Sequence, residues 1–244
     1  VSPLLAALGL SLLGSLGGLL VASTLLLFPD SARARLVPWL VSYAVGALLG
    51  VALLALLPEA LGELPATRVF EAVLAGILLF FVLEKLVLWR HCHSDHCHVH
   101  GSGASMVLIG DAFHNFVDGM MIGSAVLTSL PLGVSTAIAV AAHEVPQEVG
   151  DFAVLLHSGY SRRSALLLNV LSGLSGVAGA LLAVLLVGLA PVIKPYLLCI
   201  AAASFLYVAM ADLIPDLHSG RIDSSAFRQL ALVALGIATA MFIH

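Results

Sequence analysis

The sequence predicts an all-α integral membrane protein with eight transmembrane helices, forming a single domain over residues 1–244. Three observations lead there. The first is composition: 61% of the 244 residues are hydrophobic, 10% are charged, and the mean hydropathy is +1.11. A soluble domain carries about 25% charged residues, so this chain lacks the polar surface to cover a water-facing core. The second is run length. Stretches 1–28 and 36–57 are apolar without alternation, which suits a spanning helix of roughly 20 residues and not a membrane strand of about 10. The third is the placement of the ten Lys and Arg, which all fall in or beside the breaks between apolar runs. A soluble enzyme, a disulfide scaffold and a disordered tail are excluded.

The apolar runs, taken against Pro, Gly and polar breaks, give spans at about 3–28, 36–58, 68–90, 104–129, 131–157, 162–190, 195–216 and 226–244. Arg33, Arg35, Lys85, Arg90, Arg162, Arg163, Arg221 and Arg228 then lie on one side, and only Arg68 and Lys194 on the other. By the positive-inside rule, both termini are outside and the loops near 30, 95, 160 and 220 are cytoplasmic. The membrane is expected to be a bacterial inner membrane, or an organellar or plasma membrane. The first run is too long for a signal peptide and lacks a basic start. Because the chain opens at Val1 without an initiator Met, residues before it are expected. Small residues recur at helix-packing spacing: Gly14 and Gly18; Ser42, Gly46 and Gly50; Ser172 and Gly176. They let helices approach closely and are compatible with a homodimer. A net charge of -4 offers no basic footprint for nucleic acid.

The chemistry is concentrated in two spans. The fourth carries Asp111, His114, Asn115 and Asp118, whose spacing puts all four within roughly 100° of one helix face. The fifth carries His143, Glu144, Gln147, Glu148 and Asp151 around an internal Pro146. An uncompensated carboxylate at mid-membrane costs roughly 2.5–3.5 kcal/mol on the insertion scale, so these five acids together cost on the order of 10 kcal/mol or more. Neither span contains a Lys or Arg to offset them. The acids must be neutralised by a cation, protonate or line a water-filled path, and a divalent metal does this most directly. Imidazole with carboxylate and no nearby thiolate suits zinc, iron or manganese, whereas calcium wants an all-oxygen shell. Pro146 removes one backbone hydrogen bond and frees the Ala142 carbonyl beside His143, the kind of helix break found at transporter sites.

HNFVDG at 114–119 and HEVPQEVGD at 143–151 resemble the paired signatures of the ZIP (Zrt/Irt-like) divalent-metal transporters, closest to the subgroup reading HNFxDG and HExPHExGD. FLYVAMADLIPDL at 205–217 and the histidine-rich loop fit the same likeness. The resemblance implies an inner bundle of spans 2, 4, 5 and 7, with spans 1–3 and 6–8 related as inverted repeats. It maps a first metal site onto His114, Asp118, His143 and Gln147. A second, adjacent site would use Asn115 and Glu144 with Asp118 as a bridge, making a binuclear centre. Zn²⁺ is the expected transported substrate, with Cd²⁺, Fe²⁺ and Mn²⁺ as other candidates. Gln147 stands where the subgroup has His, and Val117-Asp118 replaces the Pro-Glu of many members. The sixth span offers no carboxylate where some members contribute one.

Other residues are placed along a path or its exit: Asp111, Glu148, Asp151, His157, Asp212, Asp216 and His218. Glu59, after Pro58, ends the second span on the outer side, where it would attract cations. The cytoplasmic loop 91–100 holds His91, Cys92, His93, His96, Cys97, His98 and His100, a low-specificity metal-binding tract whose spacing matches no closed zinc module. Competing functions fare worse. A membrane metalloprotease needs HExxH, but Gln147 occupies the second histidine position and Pro146 breaks the turn. A di-iron enzyme needs Glu-x-x-His from two helices, which is absent here. A cation-diffusion exporter would have six spans and a cytoplasmic domain. The expectation is a transporter that brings a divalent cation into the cytosol.

Overall fold

Long apolar segments with capped starts set the helix boundaries. The computed structural model describes residues 2–89, 102–217 and 224–243. Among them the elements are α1 (Pro3–Leu25), α2 (Asp30–Val51), a π-helical turn at Ala52–Leu56, α3 (Leu57–Glu63), α4 (Ala66–Trp89), α5 (Ser102–Thr128) and α6 (Leu130–His157). They continue with α7 (Arg162–Gly173), α8 (Ser175–Leu189), a 3-10 turn at Pro191–Ile193, α9 (Lys194–Tyr207), a second π-helical turn at Val208–Leu213, α10 (Ile214–Leu217) and α11 (Ser224–Ile243). Ser2, Ser129 and Ser161 cap the starts of α1, α6 and α7 through hydrogen bonds from the backbone N–H groups of Leu5, Leu132 and Ser164. The loop 91–100 and His218 lie outside the described residues.

Joined end to end, these helices form eight rods among the described residues. Rod 2 is α2, its π turn and α3; rod 6 is α7 with α8; rod 7 is α9, its π turn and α10. Six rods are long and apolar enough to cross a membrane, while α5 and α6, which carry the acids, are not apolar enough. Rod 2 starts earlier than its apolar run suggests. The helix begins at Asp30 and passes through Pro38, so Arg33 and Arg35 sit within it and not in a connection.

Rods 2 and 7 share a local device. In a π turn the backbone bond reaches back five residues, and here the Leu57 N–H donates to Ala52 and the Ile214 N–H to Ala209. A proline follows immediately in each: Leu57-Pro58-Glu59 and Ile214-Pro215-Asp216. Proline offers no N–H to the carbonyl four residues back, and its ring crowds that carbonyl. The widened turn relieves the crowding without ending the helix.

Packing divides the rods into two sets. α1 lies on α6, α5 lies on α8, and α5 and α6 lie on each other; separately, α2 lies on α11 and α4 on α9. Between the sets, α2 meets α6 and α5 meets α9. Leu13, Leu20, Phe70, Leu78, Leu171 and Phe242 are exposed on the outer faces, as side chains in contact with lipid would be. At the end rich in Lys and Arg, Arg228 lies 5.3 Å over the Trp39 ring and Lys85 lies 5.6 Å over Phe81. At the other end Lys194 pairs with Glu63, and Arg68 with Glu71 at 3.1 Å.

Glycines permit the tightest crossings. A Cβ at Gly119 would overlap the Gly176 carbonyl where α5 crosses α8, and one at Gly46 would overlap the Val233 carbonyl where α2 crosses α11. Both obstacles are backbone, which cannot rotate away. Gly46→Val is therefore expected to cost at least the ~1–3 kcal/mol of ordinary overpacking. It should lower the melting temperature of the detergent-solubilised protein by several degrees. Gly62→Ala, where a Cβ meets nothing within 4 Å, should leave it unchanged.

Candidate metal centre

The short connection at Ser129 turns α5 back into α6, so the two polar helices run antiparallel in contact. On α5, His114 and Asp118 are one turn apart and share a face. On α6, His143 and Glu144 are adjacent, and both are buried. Gly18 of α1 makes room for Glu144: a Cβ on Gly18 would come 2.6 Å from the Glu144 Cβ.

These four side chains converge. The His114 and His143 Nε2 atoms are 3.1 Å apart. Asp118 Oδ2 lies 3.0 Å from His143 Nε2 and 3.7 Å from His114 Nε2. Glu144 Oε1 is 3.9 Å from each imidazole Nε2. Ligands at about 2.0–2.1 Å around a tetrahedral zinc stand roughly 3.3 Å from one another, so the four atoms already approximate that spacing.

The hydrogen bonding favours a cation over a self-sufficient network. His143 Nδ1 lies 3.0 Å from the Ala139 carbonyl, which can only accept, so in the neutral ring the proton sits on Nδ1 and the Nε2 lone pair faces the centre. The backbone carbonyl thus orients the ring as partners of metal-bound histidines do. Neither oxygen of Asp118 or Glu144 receives a hydrogen bond among the described residues. Imidazole nitrogens and carboxylate oxygens meet here in a buried space, and a positive charge between them would answer one atom from each of the four residues.

Asn115 and Gln147 are placed differently from the two histidines. The Asn115 amide nitrogen donates to Asp111 Oδ1 at 3.0 Å, and that of Gln147 donates to the same oxygen at 3.3 Å. Both amide nitrogens therefore buttress Asp111. Glu148 is buried on the next turn of α6 after Glu144. Asp151 lies a further turn along, with Oδ2 buried and unbonded. His157, the last residue of α6, is exposed and remote from the cluster. Asp216 lies in α10.

A cavity of about 290 Å³ reaches the centre from one side. His114, Gln147, Ser204, Tyr207 and Asp212 line it together with Phe80 and Phe113. Buried Leu48, Val51, Leu56, Ile122, Val140 and Leu198 belong to one apolar cluster, and by their place along the rods they lie on the side away from the Lys- and Arg-rich end. Phe205 of α9 packs against the His143 ring with centroids 6.2 Å apart. Phe205, Ser204 and Tyr207 carry no sign of this role in the sequence, because an aromatic or a serine in an apolar run reads as packing.

Comparison with known proteins identifies the family. Residues 89–244 match the family described as ZIP Zinc transporter. The chain is 47% identical to human Zinc transporter ZIP4 over 110 residues, 45% of this chain and 17% of that protein. It is 38% identical to human Zinc transporter ZIP10 over 148 residues, 56% of this chain and 18% of that protein, and 44% identical to human Zinc transporter ZIP5 over 129 residues, 51% and 24%. The matched region thus spans no more than about a quarter of those relatives' length. With the family pattern covering both polar helices and everything after them, this chain belongs to the ZIP zinc transporter family.

Proposed function

We propose that the chain carries a divalent cation, Zn²⁺ foremost, across a membrane into the cytosol, through the centre between α5 and α6. The observation that carries this reading is the convergence of His114, Asp118, His143 and Glu144, whose ligand atoms lie within 4.8 Å of one another, with three of the four side chains buried. Two imidazoles and two carboxylates form the mixed nitrogen and oxygen set that zinc takes, and Cd²⁺, Fe²⁺ and Mn²⁺ are plausible competitors for it. The relatives named as zinc transporters support the same cargo.

All eight rods cross the membrane in this proposal, α5 and α6 being shielded by the six apolar ones. The Lys- and Arg-rich end is cytoplasmic and both termini are outside. Rods 2, 4, 5 and 7 line the path. An inverted-repeat relation of rods 1–3 to rods 6–8 is supported by matched pairings: rod 1 on rod 5 answers rod 6 on rod 4, and rod 2 on rod 8 answers rod 7 on rod 3. The matched π turns before Pro58 and Pro215 support it too. The cavity at His114 then faces the cytoplasm, and the apolar cluster faces outside. The amide oxygen of Gln147, on the cavity wall, is the group an exiting ion meets next.

Uptake of radioactive zinc into proteoliposomes tests the assignment. His143→Ala should lower uptake by at least the 10–100-fold that follows loss of a mere supporting hydrogen bond at a metal site; uptake equal to wild type would refute the assignment. Gln147→His places a stronger donor on the exit side. It should lower both the half-saturating zinc concentration and the maximal rate, because an ion held more tightly leaves more slowly.

A further inference from the structure

Asp111, Glu144 and Glu148 form a second convergence, distinct in its chemistry from the histidine centre. One carboxylate oxygen from each lies within 4.8 Å of the other two. Their side chains are almost completely enclosed, with residue exposures of 3%, 0% and 1%. Five of their six oxygens, Asp111 Oδ2 and both oxygens of Glu144 and Glu148, are buried and receive no hydrogen bond among the described residues. The sixth, Asp111 Oδ1, accepts from the amide nitrogens of Asn115 and Gln147. Those two donors fix the carboxylate plane and leave Oδ2 uncommitted.

We infer that these three carboxylates are a second cation site that shares Glu144 with the histidine centre and takes a divalent ion that prefers oxygen ligands. The donor set dictates the preference. Three carboxylates without imidazole or thiolate suit Mn²⁺ and the still harder divalent ions better than zinc, which favours nitrogen and sulfur. The site lies nearer the Lys- and Arg-rich end than the first: Glu148 follows Glu144 by four residues, about 6 Å along α6, and Asp111 precedes Asp118 by seven, about 10 Å along α5. The inference rests on the transport reading in that both sites use Glu144.

The test measures Mn²⁺ binding to the purified, metal-stripped full chain by the loss of the free-ion electron paramagnetic resonance signal. Wild type and His143→Ala should both bind Mn²⁺, whereas Glu148→Gln should bind at least tenfold more weakly. Metal-free E148Q should melt at or above the temperature of metal-free wild type, because it removes a buried carboxyl that receives no hydrogen bond among the described residues; a lower melting temperature would show Glu148 held by protein contacts and overturn the site. Mn²⁺ binding by E148Q at wild-type strength would overturn it as well. Loss of Mn²⁺ binding in H143A but not in E148Q would sink the second site and leave zinc transport standing. Undiminished zinc uptake by H143A would sink the transport reading and leave the manganese site standing.

Discussion

Acidic groups enclosed among apolar helices, with no basic side chain to answer them, are the constraint on which the rest of this structure turns. Asp111, Asp118, Glu144, Glu148 and Asp151 lie on α5 and α6, and every Lys and Arg of the chain is elsewhere. A buried carboxylate without a partner is among the most expensive arrangements a protein can hold. Helices in contact with lipid can hold it only if a cation, a proton or water answers the charge. Six other rods are apolar enough to cross a membrane, and α1, α2, α8 and α9 from among them pack against the two polar ones. Asp111, Asp118, Glu144 and Glu148 are buried there, and a cavity lined by His114 and Gln147 opens beside them.

Keeping so many acids close together requires the helix backbones to be close as well. The glycines do this where it matters for the centre: Gly18 admits Glu144, and Gly119 lets α5 lie against Gly176 of α8. The same crossings tie α1, α5, α6 and the α7–α8 rod into one packed set that holds every proposed ligand. The other set meets it through α2 and α9, which bring apolar faces and Phe205 to the boundary. Apolar faces slide past one another more readily than hydrogen-bonded ones, which suits relative motion of two sets better than rearrangement within either.

The sequence made the helical architecture and the chemistry of α5 and α6 legible because both depend on residue type and short spacing. Run length marks the apolar rods, and the i, i+4 spacing of His114 and Asp118 puts both on one face whatever the tertiary structure does. The hold of Asn115 and Gln147 on Asp111 was not legible. Each is two-faced: its nitrogen donates to Asp111, a contact set by the tertiary structure, while its oxygen is the atom that could face a cation. Glu148 read as part of a path because its convergence with Asp111 joins residues 37 positions apart on two helices. The second rod's early start escaped because Pro38 and two arginines look like a break, although a helix end near an interface tolerates all three. The Leu-Pro-Glu and Ile-Pro-Asp echo was readable as letters, but nothing in a sequence shows that both prolines follow a widened turn.

A shared Glu144 bears on how an ion leaves a site that binds it well. An ion held by two imidazoles and two carboxylates in a buried space must shed ligands before new ones are in place, unless one ligand travels with it. Glu144 has both oxygens uncommitted, one near the histidines and its carboxylate within reach of Asp111 and Glu148. An ion moving from the first cluster toward the second can therefore exchange imidazole for carboxylate while never losing Glu144. The two imidazoles it leaves are neutral, which a buried site tolerates well, whereas the Asp118 carboxylate it also leaves must be answered by a proton, water or a following ion. The gradient in donor chemistry has a direction: zinc prefers the nitrogen-containing cluster, so the all-oxygen cluster holds it more weakly and passes it on. The order of the two clusters, imidazole first and carboxylate nearer the Lys- and Arg-rich end, is the order that a release path needs.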